Sequence, residues 1–87
     1  MRVFSPEDAR QIVESAFTPF ECVVQFGPYK ESLGFQVKDA SGKPLLTREG
    51  LRKAAYRDAR ELTLDIEIAR ENLIGQGFIL DRWTPPV

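Results

Sequence analysis

With 87 residues, 43% of them hydrophobic and 29% charged, and a net charge of −1, the chain is sized for a single domain, residues 1–87, and is composed like a folded protein rather than a disordered one. It has no histidine and only one cysteine, Cys22, which removes the usual general base, the commonest metal ligand, any intrachain disulfide and any thiolate metal cluster. No apolar run approaches the ~20 residues of a membrane span, and without a net positive field any contact with nucleic acid or anionic lipid needs a local patch.

The first segment, VFSPEDARQIVESAF, predicts a helix. Ser5 can cap it, Pro6 suits the first helical position, and Glu7 and Asp8 favour the positive end of the helix dipole. Ala9, Ile12, Val13, Ala16 and Phe17 recur at helical spacing, with Phe4 placed to staple the first turn. Thr18-Pro19 is expected to end the helix. FECVVQF then puts Phe20, Cys22, Val24 and Phe26 on one side of a strand, and LGFQVKD repeats the alternation with Leu33, Phe35 and Val37 inward. The stretch DASG makes a turn, and KPLL is expected to add a short edge strand, where Pro44 is tolerated.

Residues 61 to 71, ELTLDIEIARE, read as a strand when taken alone, because Leu62, Leu64, Ile66 and Ile68 alternate with polar residues. Two features favour a helix. No proline, glycine or turn pair occurs between Leu51 and Ile74, and Leu51, Ala55, Ala59, Leu62, Ile66, Ala69 and Leu73 follow steps of three and four. The spacing therefore predicts one helix from about 48 to 74, of about seven turns, capped by Thr47 and ended near Gly75 or Gly77. FILDRW is expected to form a last strand. Trp83 and Tyr29, each beside a proline-containing segment, are expected to pack the chain down.

A continuous helix leaves Leu64 and Ile68 nearly opposite its apolar stripe, one turn apart. It is also polarised. Residues 48 to 60 carry Arg48, Arg52, Lys53, Arg57 and Arg60 against Glu49 and Asp58, a net of +3; residues 61 to 72 carry Glu61, Asp65, Glu67 and Glu71 against Arg70, a net of −3. Such a helix can pair antiparallel with a second copy, basic half beside acidic half. The expected protein interface is therefore Lys53, Arg57, Arg60, Glu61, Leu64 and Ile68, in a homodimer or with another protein.

Signatures of chemistry are missing. Neither GPYKESLG nor GQG has the spacing or context of a phosphate-binding loop. Carboxylates such as Glu61 and Asp65 fall on a solvated helix face rather than in a cleft, and the serines have no histidine partner. Cys22 falls on the inward face of its strand as a small core residue. No enzyme activity, cofactor or metal is expected, and the start MRVFSPEDAR lacks the features of a signal peptide, so a cytoplasmic protein is expected.

Residues 34 to 62, GFQVKDASGKPLLTREGLRKAAYRDAREL, resemble the second half of a double-stranded RNA-binding domain: a strand, a turn and a basic helix start, in that order. The resemblance covers about a third of the chain. It implies phosphate contacts by Arg52, Lys53 and Arg57, with Arg60 adding to the patch, as an alternative nucleic-acid-binding surface. The family needs a full third strand where only KPLL is expected here, and its lysines precede a shorter helix. The order of elements, with DASG between the strands and LIGQG near the end, also resembles small uncharacterised bacterial proteins. The fold expected is α+β, in the order α-β-β-(β)-α-(β), with an N-terminal helix and a long C-terminal helix on one face of a small antiparallel sheet of two to four strands. Its expected core is Ile12, Val13, Phe17, Cys22, Val24, Phe26, Phe35, Val37, Leu62, Ile66, Ala69 and Leu73.

Overall fold

Helix α1 (Pro6–Ser15) begins where the sequence places its cap. In this computed structural model, which describes residues 3–85, the Ser5 hydroxyl accepts from the Asp8 amide while the Asp8 carboxylate accepts from the Ser5 amide, a reciprocal capping box with Pro6 at the first helical position. The helix stops at Ser15, before Thr18-Pro19, and Phe17 is already part of the core.

Strands β1 (Glu21–Phe26), β2 (Ser32–Lys38) and β3 (Pro44–Arg52) follow, joined by a 3₁₀ turn (Pro28–Lys30) and by the DASG turn. In the latter, one Asp39 oxygen accepts from the Ser41 amide and hydroxyl and from the Lys43 amide. The sheet is antiparallel in the order β1-β2-β3. β2 is central, and its residues alternate between buried and half-buried: Leu33, Phe35 and Val37 lie in the core.

The expected edge strand KPLL is the start of a nine-residue strand running to Arg52. Residues 48 to 52 are therefore extended and not helical, which corrects the single helix from 48 to 74. Two irregularities bend this strand. At one, Gly34 faces the pair Glu49 and Gly50: a side chain on Gly34 would meet the Arg48 carbonyl at 3.2 Å, and Gly50 has a φ of +78°, the left-handed region that glycine enters at no steric cost.

A single turn, α2 (Lys53–Tyr56), leads to α3 (Ala59–Gly75). The break between them comes from Asp58, which is extended and whose carboxylate accepts from the Arg60 and Glu61 amides, a cap for a new helix. The ambiguous segment 61 to 69 is helical, as the periodicity requires. Residues 78 to 85 form no strand, which corrects the expected last strand. They run irregularly, with Phe78 edge-on against Phe20 at 5.7 Å and Trp83 half-buried.

Both helices and the sheet share one core. Val13 and Phe17 meet Phe35 and Val37 beside Leu62, Ile66, Ala69 and Leu73, and the Phe17 and Phe35 rings lie 5.4 Å apart. Ile12, Cys22, Val24 and Phe26 are partly buried against it. Phe4, Leu33, Leu51 and Tyr56 complete it. The result is a small α+β domain with the helices on one side of the sheet.

Candidate interaction surface

α3 is built to show two faces. Leu62, Ile66, Ala69 and Leu73 point into the core, while Leu64 and Ile68, at 59% and 57% exposure, stand on the outside. Arg60, Glu61, Glu67 and Glu71 are exposed around them. The flanks are tied down. On one side Arg48 reaches from β3 to Asp65 at 3.3 Å. On the other, the Arg70 guanidinium donates to the carbonyls of Ala16 and Asp81 and lies over the Trp83 ring. The outer row from Arg60 through Leu64 and Ile68 to Glu71 is thus held on a fixed helix.

The expected interface divides into two. Arg60, Glu61, Leu64 and Ile68 remain together on α3, whereas Lys53 and Arg57 belong to α2 and its C-terminal cap. The polarised helix is lost with them, because α3 alone holds Arg60 and Arg70 against Glu61, Asp65, Glu67 and Glu71, a net of −2. Arg57 fastens the N-terminal segment: its Nε donates to the Phe4 carbonyl at 2.7 Å, and its own carbonyl accepts from the Phe4 amide at 2.8 Å. Lys53, Ala54, Arg57 and Asp58 line a hollow of about 390 Å³ beside Val3.

Arg52 and Lys53 sit at the end of β3 and the start of α2. The Lys53 amide donates to the Glu31 carbonyl at 2.8 Å, and the buried Tyr56 hydroxyl donates to the Lys30 carbonyl, so the 3₁₀ turn is fixed against this corner. Burial pushes the Tyr56 phenol up, with Glu31 adding to the rise and Arg57 opposing it. The Lys30 ammonium lies over the Phe26 ring, 5.8 Å from its centroid. Tyr29, expected to pack, is 94% exposed, and both it and Lys30 have a φ of 57°.

One feature was not singled out from the sequence. The open face of the sheet carries a hollow of about 400 Å³ lined by Gln25, Gln36, Lys38, Thr47 and Glu49, with the Gln36 amide donating to the Thr47 hydroxyl at 3.0 Å. The polar residues alternating in β1 and β2 were its signal. Cys22, expected in the core, is partly buried against it; burial first, and the Glu14 charge second, push its thiol up to about 12, away from the thiolate that reacts or binds metal. Among the described residues no cluster of three or more His, Cys, Asp or Glu side chains could hold a metal ion, and no helix is long and apolar enough to cross a membrane. Comparison with protein-family models, curated proteins and solved structures gave no match.

Proposed function

We propose that this chain is a non-enzymatic protein-protein interaction module whose docking surface is the outer face of α3, engaged by a second copy or by another protein. The observation that carries the reading is the pair Leu64 and Ile68, one turn apart, more than half exposed on a helix whose other face anchors the core. Two apolar side chains on a rigid helix cost little ordering entropy on binding, and a rim of Arg60, Glu61, Glu67 and Glu71 supplies orientation rather than raw affinity. Lys53 and Arg57 belong to the rim only if a partner also reaches α2. A photoreactive side chain at Ile68, irradiated in the living cell, should yield one discrete covalent adduct whose mass tells a second copy from another protein, and Leu64→Ser should abolish it. No adduct at Ile68, or one indifferent to Leu64, sinks the reading.

A second reading is favoured by the length of β3. The resemblance to double-stranded RNA-binding domains lacked a full third strand, and Pro44–Arg52 is one, leading directly into the basic start of a helix. Arg52, Lys53 and Arg60 would contact phosphates; Arg57 is partly occupied by Phe4. Affinity of this kind falls steeply with salt. Titration of labelled duplex RNA and DNA at two salt concentrations should show salt-sensitive binding weakened by Arg52→Ala with Lys53→Ala; no salt-sensitive binding at micromolar protein rules it out.

A further inference from the structure

The sheet has two edges, and they differ. β3 is guarded by Pro44, by two irregularities of register, by the left-handed Gly50, and by Arg48, Glu49 and Arg52, the devices that keep an edge from pairing. β1 is uninterrupted, and its one charge, Glu21, stands at its start. Its register against β2 is one-to-one from Glu21↔Lys38 to Phe26↔Leu33, and between its ends there is no proline, glycine, lysine or bulge.

The direction of its free groups follows from the ladder. The Gly27 amide donates to the Ser32 carbonyl at 2.9 Å. In an antiparallel pair hydrogen-bonded positions alternate, so Gln25, Val23 and Glu21 bond to β2 while the N–H and C=O of Cys22 and Val24 point away from the sheet. Among the described residues no strand lies on that side to receive them. The side chains agree: Leu33, Phe35 and Val37 of β2 are buried, whereas Cys22, Val24 and Phe26 are only partly so.

We propose that the outer edge of β1 pairs antiparallel with β1 of a second copy, across a twofold axis at Val24, joining two three-stranded sheets into one of six strands. In this register Cys22 faces Phe26 of the mate and Val24 faces Val24, so the two half-open apolar rows close on one another. Val23 faces Gln25 on the open side. The strand's one charge, Glu21, faces the neutral Gly27 of the mate, so the register sets no like charges opposite one another. A second copy is the occupant because the donor and acceptor order of this edge is its own complement under a twofold, which also closes the assembly. α1 packs on β1 and α3 on β3, so the pairing leaves the outer face of α3 free. The inference stands apart from the docking role of that face.

Val24→Pro is the direct test. It deletes an N–H that faces away from β2, a position where an edge strand tolerates proline. Sedimentation over a wide range of concentration should show a wild-type dimer, a monomeric Val24→Pro variant with an unchanged circular dichroism spectrum, and an unchanged dimer for Leu64→Ser with Ile68→Ser. Should Val24→Pro fail to fold, Val23→Lys with Gln25→Lys decides, since it adds charge only to the open face and sets lysine opposite lysine in the proposed register. A wild type that stays monomeric throughout, or a dimer that survives the folded β1 variants, overturns the inference. Dissociation by the α3 variant alone overturns it too, and assigns self-association to α3.

Discussion

Thr63 Oγ1 is a buried polar atom with no hydrogen-bond partner among the described residues. It sits on the flank of α3 beside Leu62 and Ile66, where a methyl group would fill the same space without an orphaned hydroxyl. An unsatisfied buried hydroxyl costs roughly 1–3 kcal/mol, so Thr63→Val should raise stability by about 1 kcal/mol, read as a higher urea midpoint at unchanged slope. A lower midpoint would mean that the hydroxyl is satisfied. Cys22 makes a prediction with a sign. Its thiol is held up to about 12 against an ordinary 9.0, chiefly by burial, so the folded chain keeps its proton at pH values where the unfolded chain has lost it. The stabilisation is complete below pH ~9 and is lost as the pH climbs toward ~12. Tyr56, also shifted upward, adds to the upper part of that window. The urea midpoint should therefore fall above pH ~9, and Cys22→Ala should flatten the first part of the fall while leaving the Tyr56 part. An equally steep decline in the variant would clear the thiol of responsibility.

Between residues and fold stand the elements, and Arg70 shows how one is held without secondary structure. Its guanidinium joins the end of α1, through the Ala16 carbonyl, to the irregular tail, through Asp81, and covers Trp83. Hydrogen bonds to a charged donor are each worth about 1.5–3 kcal/mol, and the planar fork is what lets one side chain reach two carbonyls. Arg70→Ala should loosen residues 78 to 85, shifting Trp83 fluorescence toward that of exposed indole, and Arg70→Lys should rescue little; fluorescence unchanged in the alanine variant would show that Phe78 and Leu80 hold the tail alone. The same tail explains why alternation alone did not make a last strand. Phe78 and Leu80 are half-buried around the exposed Ile79, a true alternation, but the segment pairs with neither edge of the sheet and is tied down instead by the Asp81 amide donating to the Thr18 carbonyl at 2.8 Å. The long helix failed for a related reason. Leu51 continues the helical stripe in sequence, yet it reaches the core from the end of a strand, opposite Leu33, because strand and helix alike must turn their apolar residues to one core. Asp58 three residues before Glu61 was the legible sign of a new helix start. Leu64 and Ile68 were legible as surplus to the stripe. The placement of Lys53 and Arg57 was not, because it depended on the continuity of the helix.

At the scale of the whole molecule the decisive fact is that α1, β2 and α3 have no separate cores. Phe17 lies on Phe35, and Ile66 and Leu73 belong to the same cluster, so neither helix has a buried partner surface that survives loss of the sheet. A domain of this size has ~4–13 kcal/mol of net stability at 0.05–0.15 kcal/mol per residue. Truncating one buried branched side chain costs roughly 2–5 kcal/mol, a large share of that total. Ile66→Ala should lower the midpoint accordingly and lower it for every element at once: circular dichroism at a helical wavelength and Trp83 fluorescence should trace a single coincident transition in both wild type and variant. Arg70→Ala offers the contrast, since the tail is fastened from outside the core and its loss should move the fluorescence curve ahead of the helical one. If Ile66→Ala also separates the two curves, α3 melts apart from the sheet, and the rigid helix on which Leu64 and Ile68 are displayed would not persist on its own.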